Sequence, residues 1–140
     1  MKMKSKVMAI ANALVKQGWS RSAAMVRAWI TIKLHAIQTK AAGVTFGNRQ
    51  TLLAWLTRYS TEEITVTLQR KQNNAHDRNA VQIVAAVRGK GSAVIGYINR
   101  ELAVVLALLL DKGVQIASRF KEITGGERYL NYGLNLELAI

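Results

Sequence analysis

The sequence predicts a mainly β fold with helices, of the α+β class. Six short strands and two helices form a small barrel, preceded by an N-terminal helical hairpin. Three observations predict it. Apolar residues recur at helical spacing through residues 4 to 37 and then, from Ala41 onward, at every second position. Two apolar segments of helix length, beginning at Arg49 and Arg100, interrupt that alternation. The strand-like segments are short and hairpin-spaced, which suits a closed or partly open barrel. Such closure removes bare edges in a chain that has no proline to guard them.

Each element has its own signal. Val7, Ile10, Ala11 and Leu14 lie on one face of a first helix. Gly18 suits its left-handed end, and Ser20 suits the cap of a second helix on which Met25, Trp29, Ile32 and Ala36 share a face. Lys16, Arg21, Arg27 and Lys33 are left for the outside. "AAGVTF", from Ala41 to Phe46, is the first strand candidate. Asn48 is placed to cap a helix from Arg49 to Tyr59 whose apolar face is Leu52, Trp55, Leu56 and Tyr59. "ITVTLQR" and "AVQIVAAV" alternate as half-buried strands. "RGKGS" is a turn, and "AVIGYI" is the next strand. Asn99 caps "RELAVVLALLLDKG", with Glu101 in the favourable first turn and Gly113 at the end. The all-round apolar stretch Leu102 to Leu110 predicts a helix covered on most sides. "VQIASRFKEI" alternates again, and Leu130, Tyr132, Leu134, Leu136 and Leu138 put five apolar residues on one face of the last strand. Trp19, Trp29 and Trp55 sit on apolar helix faces and are read as core. The expected organisation is a basic amphipathic hairpin over residues 1–40 and a barrel domain over 41–140.

Composition narrows the function. A chain of 140 residues, half of them hydrophobic, can bury one real core. There is no cysteine, which excludes a disulfide framework and a thiolate metal site and is compatible with the reducing cytoplasm, the expected location. The longest apolar run, Leu102 to Leu110, is short of the roughly 20 residues a membrane span needs. "MKMKSK" leads into no long apolar region, so no secretory signal is expected. The charge is lopsided. No acid precedes Glu62, while residues 1 to 61 hold ten of the 20 basic side chains. A one-sided positive field attracts polyanions, chiefly nucleic acid or an anionic membrane. An acid-free amphipathic N-terminus also matches a mitochondrial transit peptide, but two punctuated helices and a glycine turn argue against that.

The loop "QRKQNNAHDRNAV", Gln69 to Val81, sets a carboxylate between His76 and Arg78 in a chain with only 8 acidic residues. Asp77 and Asn79 have one role available in any such loop, which is to satisfy backbone groups by Asx-type bonds; Asn74 reads as a turn former. Phe46 and Tyr97 are candidates for core and for ligand contact alike.

Four words in order carry a resemblance: "GVTF" at Gly43 to Phe46, "LQRKQNNAHDRNAV" at Leu68 to Val81, "IGYINRELA" at Ile95 to Ala103 and "LLLDKG" at Leu108 to Gly113. Over about residues 41 to 138 the chain resembles the HIRAN domain. The resemblance implies a small OB-like six-stranded β-barrel, in a family found fused to fork-remodelling helicases and as small bacterial or phage proteins. It also implies capture of the 3′ end of single-stranded DNA. By that pattern Asp77 receives the terminal hydroxyl and Phe46 takes a stacking position. Tyr97 and Arg100, in "GYINR", contact base and phosphate. Lys71, with Arg70 and Arg78, offsets the cost of a carboxylate beside a polyanion. His76 stands where the family usually has tyrosine, Ala75 where it has proline, and Thr45 where some members have arginine. Without proline the loop is less rigid, and histidine is a smaller stacking surface. The chemistry of the role is plain: a carboxylate accepts a hydrogen bond from a hydroxyl and repels a phosphate, so it can detect a free end.

The expected function is a nucleic-acid-binding module without catalysis, cofactor or metal. It would bind single-stranded DNA at its free 3′ end and act with a protein partner such as a helicase or nuclease. The alternative from another class is an adaptor that docks on proteins through the basic N-terminal hairpin. A nuclease built on His76 and Asp77 is disfavoured, because two-metal chemistry needs several convergent carboxylates. No phosphate loop of the P-loop type is present.

Overall fold

The computed structural model describes residues 3–21, 24, 28, 37–111, 113–128 and 130–139. Helix α1 (Met3–Lys16) is followed by β1 (Ile37–Lys40) and α2 (Arg49–Leu56). After a single 3-10 turn come β2 (Ile64–Arg70), β3 (Val81–Val87) and β4 (Gly91–Tyr97), then α3 (Arg100–Asp111), β5 (Ala117–Thr124) and β6 (Gly133–Ala139). Among the described residues no helix is long and apolar enough to cross a membrane.

The strands form two antiparallel three-stranded sheets, in the orders β1-β6-β5 and β2-β3-β4. This corrects the closed form of the six-stranded barrel, one of the two forms expected, closed or partly open. The sheets meet along two seams, and neither carries a full ladder among the described residues. At one seam Ala42 and Tyr97 exchange backbone hydrogen bonds of 2.7 and 2.9 Å as an isolated bridge. At the other, the Ser118 hydroxyl on β5 donates to the Val66 carbonyl on β2.

The core explains why the last helix is apolar all round. Ala103, Leu106 and Ala107 of α3 join Val81, Ile83, Leu134, Leu136 and Leu138 between the sheets. Val105 and Leu109, on the other side of α3, pack with Ile10 and Leu14 of α1. Burying each such Leu or Ile is worth about 1.5–3 kcal/mol, so both sides of α3 contribute. The predicted helix ends also form. Gly18 and Trp19 donate to Val15 and Leu14, and Gly113 and Val114 donate to Leu110 and Leu109, each pair closing a Schellman motif. The Asn99 carboxamide accepts from the Leu102 N–H at 3.0 Å.

Other expectations are corrected. "GVTF" is a turn, not a strand: the Phe46 N–H donates to the Gly43 carbonyl, and Gly43 and Gly47 have φ of 69° and 60°. The first strand comes earlier, at Ile37–Lys40, at the end of the unit expected as a hairpin over residues 1–40, because β6 offers it a register from Leu138 to Asn135. Asn48 occupies the N-cap position of α2 but makes no side-chain cap bond. Leu130 lies outside β6 and is exposed, in a turn where its N–H donates to the Glu127 carbonyl. Trp19 is exposed, whereas Trp55 packs against the core, edge-to-face with Tyr59. Met25, Arg27, Trp29, Ile32, Lys33 and Ala36, on which the second helix of the hairpin was expected, lie outside the described residues.

Candidate nucleic-acid interface

The site begins with a bulge. On β3, Val81, Ile83, Ala85 and Val87 face inward. Across the hairpin, Val84 pairs with Val94 but Ile83 pairs with Gly96, so Ile95 is an extra residue in β4. The side-chain period of a strand is two, so one inserted residue moves everything after it to the opposite face. Simple alternation would place Tyr97 opposite Val81, facing the core. The bulge places it opposite Gln82 instead. The Gln82 amide donates to the Tyr97 hydroxyl at 3.3 Å. That bond, chiefly, draws the Tyr97 phenol below its ordinary value; partial burial opposes it, and the Arg49 and Lys71 charges add to it.

Gly96 makes the close approach possible. A Cβ there would lie 2.7 Å from the Ala42 carbonyl oxygen, so a side chain would push apart the Ala42–Tyr97 bridge. Beyond Ala42 the chain turns at Gly43 and reaches Phe46, which is 73% exposed. Arg49, in the first turn of α2, binds this turn to the sheet. Its guanidinium donates to the Gly43 carbonyl at 2.8 Å and lies over two rings, 5.3 Å from the centre of Phe46 and 5.1 Å from that of Tyr97. Gln50 fixes the same turn from below, donating to the carbonyls of Val44 and Tyr132 and accepting from the Tyr132 N–H. An aromatic–cation–aromatic array results, with Phe46 open to solvent.

The Asp77 loop is built from the bonds expected of Asn and Asp in turns. The Asn74 carboxamide oxygen accepts from the N–H groups of His76 and Asp77 at 2.8 and 3.0 Å. One oxygen of Asp77 accepts from the Asn79 N–H at 2.9 Å. The other faces the Arg100 guanidinium at 4.0 Å, on a carboxylate that keeps 22% of its side-chain surface open. Arg100 also donates to the His76 carbonyl at 3.0 Å, while most of its side chain reaches solvent. Arg70 is committed elsewhere: it grips Asp111 with two bonds of 3.0 and 3.2 Å and donates to the Ala80 carbonyl, which pins the base of the loop to the end of α3. Lys71 and His76 are exposed on the loop.

The six sequence-predicted residues therefore fall into two neighbouring groups. Asp77, His76 and Arg100 are in contact through the loop. Tyr97 and Phe46 are joined by Arg49, with the charge of Lys71 felt at Tyr97. Sequence reasoning missed Arg49, Gln50 and Gln82. A basic and an amide residue directly after "GVTFGN" are the only signal for the first two, and Gln82 needed the register.

The profile of the HIRAN domain matches residues 34–138, which takes in β1 and every strand that follows. The chain belongs to the HIRAN domain family. Members of this family are in general DNA-binding modules. Among solved structures, a protein from Lactobacillus plantarum aligns with a TM-score of 0.51 at 21% identity, covering 75% of this chain and 97% of that one. The HIRAN domain of human HLTF aligns with a TM-score of 0.48 at 22% identity, covering 74% of each chain. At 21% identity the likeness to the Lactobacillus plantarum protein concerns the fold alone. No curated protein matches the chain.

Proposed function

We propose that this HIRAN-family protein binds single-stranded DNA and engages a free 3′-hydroxyl end at Asp77, without catalysing a reaction. The observation that carries the reading is the array of exposed Phe46 with half-buried Arg49 and Tyr97 beside the Asp77–Arg100 pair. Base–aromatic stacking contributes about 1–3 kcal/mol per base whatever the sequence. The exposed Phe46 ring and the half-buried Tyr97 ring serve that purpose, and Arg49, Lys71 and Arg100 supply cations for phosphates.

Asp77 suits a terminus. One of its oxygens holds the turn, and the other, which faces Arg100 at 4.0 Å without a hydrogen bond to it, can accept from a hydroxyl, a charge-assisted bond worth about 1.5–3 kcal/mol. A phosphate in the same place would meet the carboxylate's charge. Arg100, 4.0 Å away, offsets the carboxylate's repulsion of the rest of the strand. A helicase or nuclease that generates or consumes such ends is the class of protein partner this implies. An adaptor role through the N-terminal segment has less support, because α1 uses Ile10 and Leu14 against α3.

The test is a titration at fixed salt with single strands that carry a 3′-hydroxyl, a 3′-phosphate or no end at all, as a circle. The expected order is hydroxyl first, with phosphate and circle weaker. Equal binding to all three overturns the end-reading role and leaves strand binding intact. No binding to any of them overturns both.

A further inference from the structure

Trp19 is 42% exposed, on an acid-free segment that precedes the family match. It lines a groove of about 630 Å³ between α1, β1 and the start of α3. Ile10, Leu14 and Val105, all buried, form its floor. Gln17, Trp19, Gln38, Asn99, Arg100 and Glu101 are its exposed lining. Arg100 therefore belongs to two places at once, this groove and the Asp77 loop.

We infer that the groove holds a further nucleotide of the same single strand, its base stacked on Trp19 and its backbone anchored at Arg100. This rests on the strand-binding reading above and lengthens its footprint. The volume is that of a site for a compact organic ligand, within the range of about 300–1,000 Å³. The face of an exposed tryptophan stacks on any base. Carboxamides match base edges because each offers a donor and an acceptor. Gln17 and Gln38 supply two whose side chains make no hydrogen bond to the described residues. Asn99 is committed, capping α3 with its oxygen and donating to the Thr39 hydroxyl at 3.2 Å. Glu101 disfavours a phosphate inside the groove. The backbone is thereby kept at Arg100, whose side chain is 75% exposed, and the base is turned inward.

The experiment compares the 140-residue wild-type chain, Trp19→Ala and Gln17→Glu on thymidine strands of about four and about ten nucleotides, the lower part of the range one such fold covers. Circular dichroism checks the fold of each variant. Trp19→Ala is expected to weaken binding of the long strand about tenfold and leave the short strand unchanged. Gln17→Glu is expected to act in the same direction, by setting a negative charge in the groove, and it decides the matter if Trp19→Ala fails to fold. A folded Trp19→Ala protein that binds both strands like wild type overturns the inference and leaves strand binding standing. Equal losses on both strands overturn it too, since they assign Trp19 to the architecture of the proposed strand-binding face. Wild type that binds neither strand overturns the parent reading, and this one with it.

Discussion

The guanidinium carbon of Arg49 stands 5.1 Å from the centre of the Tyr97 ring, so the first turn of α2 is electrostatically tied to the last residue of β4. The same carbon lies 5.3 Å from the Phe46 ring. Contacts of this kind contribute about 0.5–1 kcal/mol each at exposed positions. That is enough to orient an exposed phenylalanine and weak enough for a base to compete. Arg49→Ala is therefore expected to weaken free-ended and circular strands alike and to lower the salt slope by roughly one counterion. Arg49→Lys keeps the charge but loses the planar stack, and is expected to retain the slope with reduced affinity. Titrations over a range of salt separate the two.

Asp77 has a structural and a recognition role on different oxygens, and two substitutions separate them. Asp77→Asn keeps an oxygen for the Asn79 N–H and removes the charge. It is expected to leave the fold intact and cost about 1–2 kcal/mol of preference for a 3′-hydroxyl over a circle. Asp77→Ala loses the turn bond as well, with a further stability loss of about 1 kcal/mol. Chemical denaturation beside the binding ratio tests both. An Asn variant with undiminished end preference rules Asp77 out as the reader.

Gly96→Ala tests the bridge. The new Cβ would meet the Ala42 carbonyl at 2.7 Å and the Ala41 side chain at 3.2 Å. Backbone must move, and a loss of about 1–3 kcal/mol is expected in a urea melt. Because the bridge also places the Phe46 turn beside Tyr97, affinity for every strand should fall in parallel. Unchanged stability would show that the seam opens without cost.

Arg70 and Asp111 give a pH signature. The two bonds from Arg70 hold the Asp111 carboxyl below its ordinary value of 3.8, against slight desolvation and with help from Gln72. A carboxylate with a depressed folded value stabilises the protein above its unfolded value, and that stabilisation is lost as pH falls through the folded one. Asp111 is partly exposed, so the effect is modest. Wild type should unfold at higher urea than Asp111→Asn near pH 7, and the gap should narrow as pH falls below 3.8, the ordinary value of the carboxyl. A gap that persists in acid would mean the pair is not its source.

The sequence by itself determined the elements whose signals are local and repeated. Leu134, Leu136 and Leu138 alternate, so their strand has one buried face and one register. Leu102 to Leu110 is apolar all round, so its helix is covered on two sides. Gly18 and Gly113 stop helices through bonds made within six residues. The words around Asp77 were legible for the same reason: Asn and Asp bond their own near neighbours. The tertiary structure decided what depends on a partner strand or helix. Four residues, Ile37 to Lys40, are too few to be a strand alone and become one because β6 offers an edge. "GVTF" has the alternation of a strand, yet Gly43 and Gly47 turn it into the loop that exposes Phe46. Nor does the sequence mark Ile95 as the extra residue of a bulge; only its pairing with β3 does, and that single residue sends Tyr97 outward to Gln82 and Arg49. Whether the two sheets close into a barrel was likewise set by how far the Ala42–Tyr97 and Ser118–Val66 seams could be paired, a property of two surfaces meeting and of neither segment alone.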